Sequence, residues 1–196
     1  PLYLIKKGQA KVYLKHEKEL EGYLFAKIGD EVVFYNKDFR SEILKGPKLL
    51  KFIKLVHKKN LLMNNLEKHG MPRPLTKKLV RTIDSESDFQ DKVKARAIAQ
   101  QLQKDSLCKN VEIKFDKEFG AYTLDLEFEL NGVSTHKLID HDFLTGPEFS
   151  DIKELYGKLD ELPSAPYSIE IGKENFVQDN RKELVPFLFE RLQKGL

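Results

Sequence analysis

The sequence predicts an α+β fold, an antiparallel sheet packed with several helices, on three observations. From Val111 to Ile139 apolar residues alternate with polar ones, the period of strands with one buried face. Asn131-Gly132 interrupts that stretch with the strongest short signal for a two-residue hairpin. Outside it the longer apolar patterns have helical spacing, and this segregation of helices from strands argues against a doubly wound parallel sheet.

Residues 2–5 and 12–14 are β-prone runs around Gly8 and read as a hairpin. Residues 17–24, with Leu20, Tyr23 and Leu24, predict one or two helical turns, and residues 31–35 a short strand. A long helix follows Gly46-Pro47, since proline fits a first turn. Leu49, Phe52, Ile53, Val56 and Met63 share one of its faces, widened by Leu62 and Leu66, with Lys51, Lys54 and Lys58 opposite. Gly70, then Pro72 and Pro74, end it. Residues 75–83 read as a second helix and 88–107 as a third, N-capped by Ser87 with Gln90 as its capping-box partner. Strands at 111–115, 122–130 and 133–139 then form a three-stranded meander with one buried and one acidic face. Thr145 and Glu148 fit another capping box, opening a helix with Phe149, Ile152, Tyr156 and Leu159 as its stripe. A strand near 167–171 and a helix near 182–194, started or kinked by Pro186, complete the pattern.

Composition narrows the function classes. A chain of 196 residues with 40% hydrophobic residues can bury a core, which excludes wholesale disorder. No apolar run approaches the roughly 20 residues of a membrane span. The single cysteine, Cys108, excludes an intrachain disulfide and a multi-cysteine zinc site, and the chain reads as soluble and cytoplasmic. Opening on Pro1 rather than Met leads to the expectation of a piece processed or cut from something longer. Charge is unevenly spread: residues 1–83 hold 19 Lys and Arg against 8 Asp and Glu, a surplus of 11 cations. Residues 84–196 hold 15 against 23, an excess of 8 acids. Such a basic half attracts a phosphate backbone or an acidic partner, and equally describes two halves that face each other.

Few motifs carry chemistry. No glycine loop has phosphate-cradling spacing, and there is no HExxH or GxSxG. In a strand Asp140 and Asp142 would point the same way with His141 between them, the basis of a weak metal reading in which a small stand-alone hydrolase uses Asp140, His141 and Asp142. The plainer reading is a polar strand end running into a capped helix. The face of Lys51, Lys54 and Lys58, and the hairpin pair Lys6 and Lys7, are candidate DNA-backbone contacts; solvated helix faces and hairpin tips have the same composition. Asp125, Glu127 and Glu129 on the acidic sheet face are candidates for docking a basic protein partner.

Residues 1–8, PLYLIKKG, running on to Tyr13, Leu14 and Tyr23, resemble the segment that follows the Toprim core in the DNA gyrase B family of type IIA topoisomerases. Residues 138–149, LIDHDFLTGPEF, with Gly157-Lys158-Leu159, are similar to that family's LDHEF(I/V)TGGEY…GEKL stretch in its Gram-negative-type members. Pro147 replaces the expected second glycine, at a first-turn position where proline fits. Residues 184–196 resemble the helix leading to the family's QRYKGLGEM segment. These patches cover a quarter to a third of the chain, and the length between them matches the large insert of Gram-negative-type members.

The resemblance implies three parts: a Toprim-adjacent hook segment at 1–24, an insert domain at 25–172, and a return helix at 173–196. It implies a fragment without enzymatic activity or cofactor of its own, because the family's catalytic glutamate, DxD magnesium pair, ATPase domain and nucleophilic tyrosine all lie elsewhere. The parent would be an ATP-binding, magnesium-dependent DNA-binding isomerase of the cytoplasm. Its partners would be the gyrase A protein, double-stranded DNA and the Toprim domain of the same polypeptide, with no membrane. The insert would then support DNA engagement and coupling with gyrase A in ATP-dependent negative supercoiling, and the Asp140-His141-Asp142 cluster would be structural.

Overall fold

Two separate sets of buried apolar residues form two cores, and the chain divides with them into one unit of residues 1–58 and 159–196 and another of residues 59–158. The computed structural model describes the backbone of residues 3–7 and 10–14 and the whole of residues 17–194. In chain order the elements are β1 (Tyr3–Lys7), β2 (Ala10–Leu14), α1 (Glu17–Glu31), β3 (Val32–Tyr35), β4 (Glu42–Lys45), α2 (Gly46–Lys68), α3 (Arg73–Thr82), α4 (Lys92–Lys104), β5 (Asn110–Asp116), β6 (Ala121–Leu130), β7 (Val133–Ile139), α5 (His141–Thr145), α6 (Pro147–Asp160), β8 (Tyr167–Ile171), β9 (Glu174–Gln178) and α7 (Leu184–Gln193). Short 3-10 turns precede α4 (Glu86–Gln90) and α7 (Arg181–Glu183). The fold is α+β, with helices packed on antiparallel sheets of four and three strands. Among the described residues no helix is long and apolar enough to cross a membrane.

The first unit holds the β1–β2 hairpin and the four-stranded sheet β4-β3-β8-β9. β3 and β8 pair antiparallel with Val32 opposite Ile171 and Phe34 opposite Ile169, so that Val32, Phe34 and Ile169 enter one core. Leu49, Phe52, Ile53 and Val56 of α2 and Leu184, Val185, Leu188 and Leu192 of α7 cover them. Arg181 fastens this core: its Nε donates to the Tyr167 hydroxyl at 2.8 Å and its Nη2 to the Pro163 carbonyl at 2.7 Å, with the guanidinium 5.6 Å from the Phe52 ring centre. Pro186 lies in the first turn of α7, the part of a helix that tolerates it.

The second unit is built on the predicted meander. β5, β6 and β7 pair in order, and Asn131 and Gly132, both at positive φ, make the two-residue turn between β6 and β7. Leu124, Leu126 and Phe128 are buried against Met63 and Leu66 of α2, Leu75 and Leu79 of α3, Ala95, Ile98 and Leu102 of α4, and Phe149 and Ile152 of α6. The single α2 stripe expected from spacing thus serves two cores, since Met63 and Leu66 belong here and Leu49 to Val56 to the first unit. α2 ends in a motif whose amide donors run back into the last turn: Met71 N donates to Leu66 O at 3.0 Å and Gly70 N to Glu67 O at 3.1 Å. Gly70 sits at φ +91°, and Leu66 and Met71 are both buried.

Four local expectations are corrected. α1 runs for 15 residues rather than one or two turns, because Phe25 and Ile28 extend the apolar side begun by Leu24. α4 starts at Lys92, capped by the Asp91 carboxylate accepting from Val93 N at 2.8 Å; Ser87 and Gln90 lie in the preceding 3-10 turn, where the Asp88 carboxylate accepts from the Asp84 amide at 3.0 Å. Thr145 does not cap α6: its hydroxyl donates back to the His141 carbonyl at 2.8 Å inside α5, while Glu148 Oε1 lies 3.0 Å from His69 Nδ1. Strands β4 and β9, four and five residues long, went unanticipated because so short a segment carries little periodicity.

Two glycines give opposite expected outcomes in chemical denaturation. Gly70→Ala forces a side chain into the left-handed region and costs about 1 kcal/mol or more. Gly22→Ala, inside α1 with open space around its added methyl, stabilises by roughly 0.5–1 kcal/mol.

Candidate nucleic-acid interface

α2 buries one side and leaves the other to water, and that division brings the predicted lysines together. Lys51, Lys54 and Lys58 stand at i, i+3 and i+7 on one exposed stripe. With Pro47, Leu50 and Leu55 they line an open groove of about 370 Å³, whose floor is aliphatic and whose rim is cationic. Leu50 reaches toward α1, where its Cδ2 would lie 3.8 Å from a methyl on Gly29. The Lys54 ammonium lies 5.7 Å from the Phe25 ring centre, a cation–π contact that holds its stem on the first unit. Lys51 and Lys58 have no carboxylate within ion-pair distance among the described residues. Lys45, nearby in sequence, is different: its ammonium is 2.8 Å from Glu42, whose hydrogen bond and charge raise the lysine pKa. Lys6 and Lys7 pair through their backbone with Lys11 and Ala10, and their side chains lie outside the described residues.

The acidic side of the three-stranded sheet is the second charged surface. Asp125, Glu127 and Glu129 all face outward, and each is partnered. Asp125 Oδ1 is 3.2 Å from His136 Nδ1, Glu127 accepts from the Ser134 hydroxyl at 3.1 Å, and Glu129 accepts from Lys109 Nζ at 3.1 Å. An open concavity of about 680 Å³ lies beside them, lined in part by Lys114, Thr123, His136 and Leu138. Sequence reasoning missed His136, Ser134 and Lys109 as members of this surface, because cross-strand partners depend on register. The alternation of β7 was the available signal for His136.

The strand that would align Asp140 with Asp142 ends at Ile139. Asp140 is the N-cap of α5, its Oδ1 accepting from Phe143 N at 2.9 Å, while Asp142 falls in the first helical turn. His141 stacks on Phe119 with ring centres 4.3 Å apart and planes 16° from parallel. Among the described residues no three His, Cys, Asp or Glu side chains are grouped closely enough to hold a metal ion. Cys108 is buried, and burial pushes its thiol up to about 11.

The family described as DNA gyrase B subunit insert domain matches residues 38–188. The chain is also similar to the B chain of the type 2 topoisomerase of Aquifex aeolicus (strain VF5), 25% identical over 162 residues, which cover 79% of this chain and 19% of that protein. The chain therefore spans about a fifth of the length of that curated relative.

Two measurements check these assignments. As an N-cap, Asp140→Asn keeps stability within a few tenths of a kcal/mol, and Asp140→Ala costs about 1 kcal/mol; equal losses from both would contradict the capping role. For Cys108 the folded pKa, about 11, lies above the 9.0 of a free thiol, so the buried thiol contributes stability below pH 9 that is lost as pH rises from about 9 toward 11. Native protein should accordingly react slowly with a thiol-specific reagent at pH 8, and the unfolded chain rapidly.

Proposed function

Because the chain belongs to the DNA gyrase B subunit insert domain family, we propose that it is a non-catalytic scaffold and interaction segment of a type 2 topoisomerase of the gyrase B kind. In this role it supports DNA engagement and couples its own polypeptide to gyrase A during ATP-dependent negative supercoiling. Magnesium and ATP chemistry belong to other parts of the parent protein, and the Asp140-His141-Asp142 segment serves as a strand-to-helix connection.

The observation that carries the DNA part is the α2 stripe, with Lys51 and Lys58 unneutralised among the described residues beside Lys54 on one exposed line. Three cations spaced along a rigid helix position a phosphate backbone without reading its sequence. Each phosphate they neutralise releases condensed counterions, so binding through this stripe must weaken steeply with salt.

The test is duplex binding by the 196-residue chain, followed by fluorescence anisotropy across a salt series. Binding is expected to be weak and indifferent to sequence. Replacing Lys51, Lys54 and Lys58 by Ala is expected to reduce the slope of log affinity against log salt by up to about 0.9 for every phosphate no longer neutralised. The chain alone is expected neither to cleave nor to supercoil plasmid DNA. Salt-independent binding contradicts the electrostatic reading, and plasmid cleavage by the purified chain contradicts the non-catalytic one.

A further inference from the structure

We propose that the outer side of helices α3 and α4, in the second unit, is a further surface for the phosphate backbone of double-stranded DNA. The proposal rests on the DNA-engagement reading above and names residues outside the α2 stripe.

α3 and α4 carry Arg73, Lys77, Lys78, Arg81, Lys92, Lys94, Arg96 and Lys104, with no Asp or Glu in either helix. Some of these cations are committed. Arg73 lies 3.4 Å from Glu67, Lys78 pairs with Asp105 beyond the end of α4, and the Arg81 guanidinium lies over the Tyr156 ring. Lys77, Lys92, Lys94 and Arg96 are exposed and, among the described residues, in no ion pair. The two acids nearest in sequence to Lys92, Lys94 and Arg96 are occupied: Asp91 caps α4 through Val93 N, and Asp88 is buried with its carboxylate on the Asp84 amide.

The placement of these charges opposes helix stability. The first turn of a helix carries a partial positive charge from its unpaired N–H groups, and acids are favoured there. α4 instead has Lys92, Lys94 and Arg96 within its first five residues and no acid in its first turn; α3 likewise has none. Lys92 and Lys94, in the first turn of α4, are therefore set against the field of the helix end. Among the described residues no ion pair offsets that opposition, whereas the same arrangement adds helix-end potential to side-chain charge for an approaching anion.

The pattern of α4 suits a phosphate backbone. Ala95, Ile98, Ala99 and Leu102 are buried, which leaves Lys92, Arg96, Gln100 and Gln103 as one outward row and Lys94, Ala97, Gln101 and Lys104 as another. Every long polar side chain in these rows is a donor, and Lys and Arg are donors only. Protein–protein interfaces are anchored by clusters of large apolar or aromatic groups. Here Val93 is the one large apolar side chain exposed on α4, at 75%. Charge and donors without such a cluster favour DNA over an acidic protein. The opposite side of the sheet presents Asp125, Glu127 and Glu129, and α6 on the helical side carries Glu148, Asp151 and Glu154, so a polyanion is favoured at α3 and α4 over either.

The experiment compares the 196-residue chain with its K77Q/K92Q/K94Q/R96Q and K51A/K54A/K58A variants, using a short fluorescein-labelled DNA duplex and anisotropy over roughly 50–200 mM salt. The first variant is expected to bind about tenfold or more weakly at low salt, with a slope smaller by up to about 0.9 for every phosphate no longer neutralised. Its Tm is expected to equal or exceed that of the parent chain, since charge opposed to the helix ends has been removed. K92R/K94R, which keeps the charge, is expected to retain binding and guards against a merely structural effect. Parent-like affinity and slope in the quadruple variant overturn the proposal, and a loss confined to K51A/K54A/K58A would do so while leaving the α2 reading intact. Absence of duplex binding by the parent chain overturns both.

Discussion

The apolar face of β6 is the constraint from which most of the second unit follows. Leu124, Leu126 and Phe128 alternate with Asp125, Glu127 and Glu129, so one side of the strand must leave water and the other cannot. Helices supply the cover, and only one side of the sheet receives it. The acids are left outward, and the helices that cover the apolar side turn their own polar sides to solvent. Charge separation within this unit is therefore a consequence of burial, as the cationic sides of α3 and α4 and the acidic sheet side are both left outward by one core. Register adds the detail: Asp125 stands opposite Glu112, a like-charge pair that costs stability, and His136 lies close enough to Asp125 to offset part of it.

The first unit solves a different problem. Its central strands β3 and β8 lie more than a hundred residues apart in the chain, and neither buries its apolar side without the other. Loop closure of that span is an entropic cost met only when the strands, α2 and α7 come together, so the unit depends on non-local contacts far more than the meander does. Arg181 sits where such a unit needs a clasp, binding the Tyr167 hydroxyl at the start of β8 and the Pro163 carbonyl before it. The Phe34, Phe52 and Tyr167 rings pack beside it, with centres 5.5–6.2 Å apart.

The role proposed for this chain rests on surface charge rather than on a pocket with convergent groups. Many cations are neutralised locally or laid over an aromatic ring, as Lys45 is by Glu42, Lys109 by Glu129 and Arg191 by the rings of Phe176 and Phe187. Among the cations without an acid partner in the described residues, Lys51 and Lys58 share one side of α2, and Lys77, Lys92, Lys94 and Arg96 lie on α3 and α4. Membership of the DNA gyrase B subunit insert domain family is the context in which that distribution is read as a proposed DNA-facing surface.

The sequence by itself determined what local periodicity and turn chemistry dictate. The meander was legible from period two and Asn131-Gly132, the α2 stripe and its lysine side from helical spacing, and the end of α2 from Gly70. The run from Lys92 to Lys104 is free of acids in the sequence too, yet its cations acquire meaning only once the start of α4 sets them against a helix end. The capping assignments at Ser87 and Thr145 failed for a related reason: several Ser, Thr and Asp residues compete for each helix start, and the winner depends on where neighbouring elements fix the chain. Tertiary structure alone decided that one stripe on α2 serves two cores, that β3 finds β8, and that Asp140 caps a helix instead of ending a strand. The first two rest on contacts between residues distant in the chain, whose free energy depends on shared burial and is absent from any local pattern; the Asp140 cap is a local hydrogen bond to Phe143 N, chosen by where β7 ends.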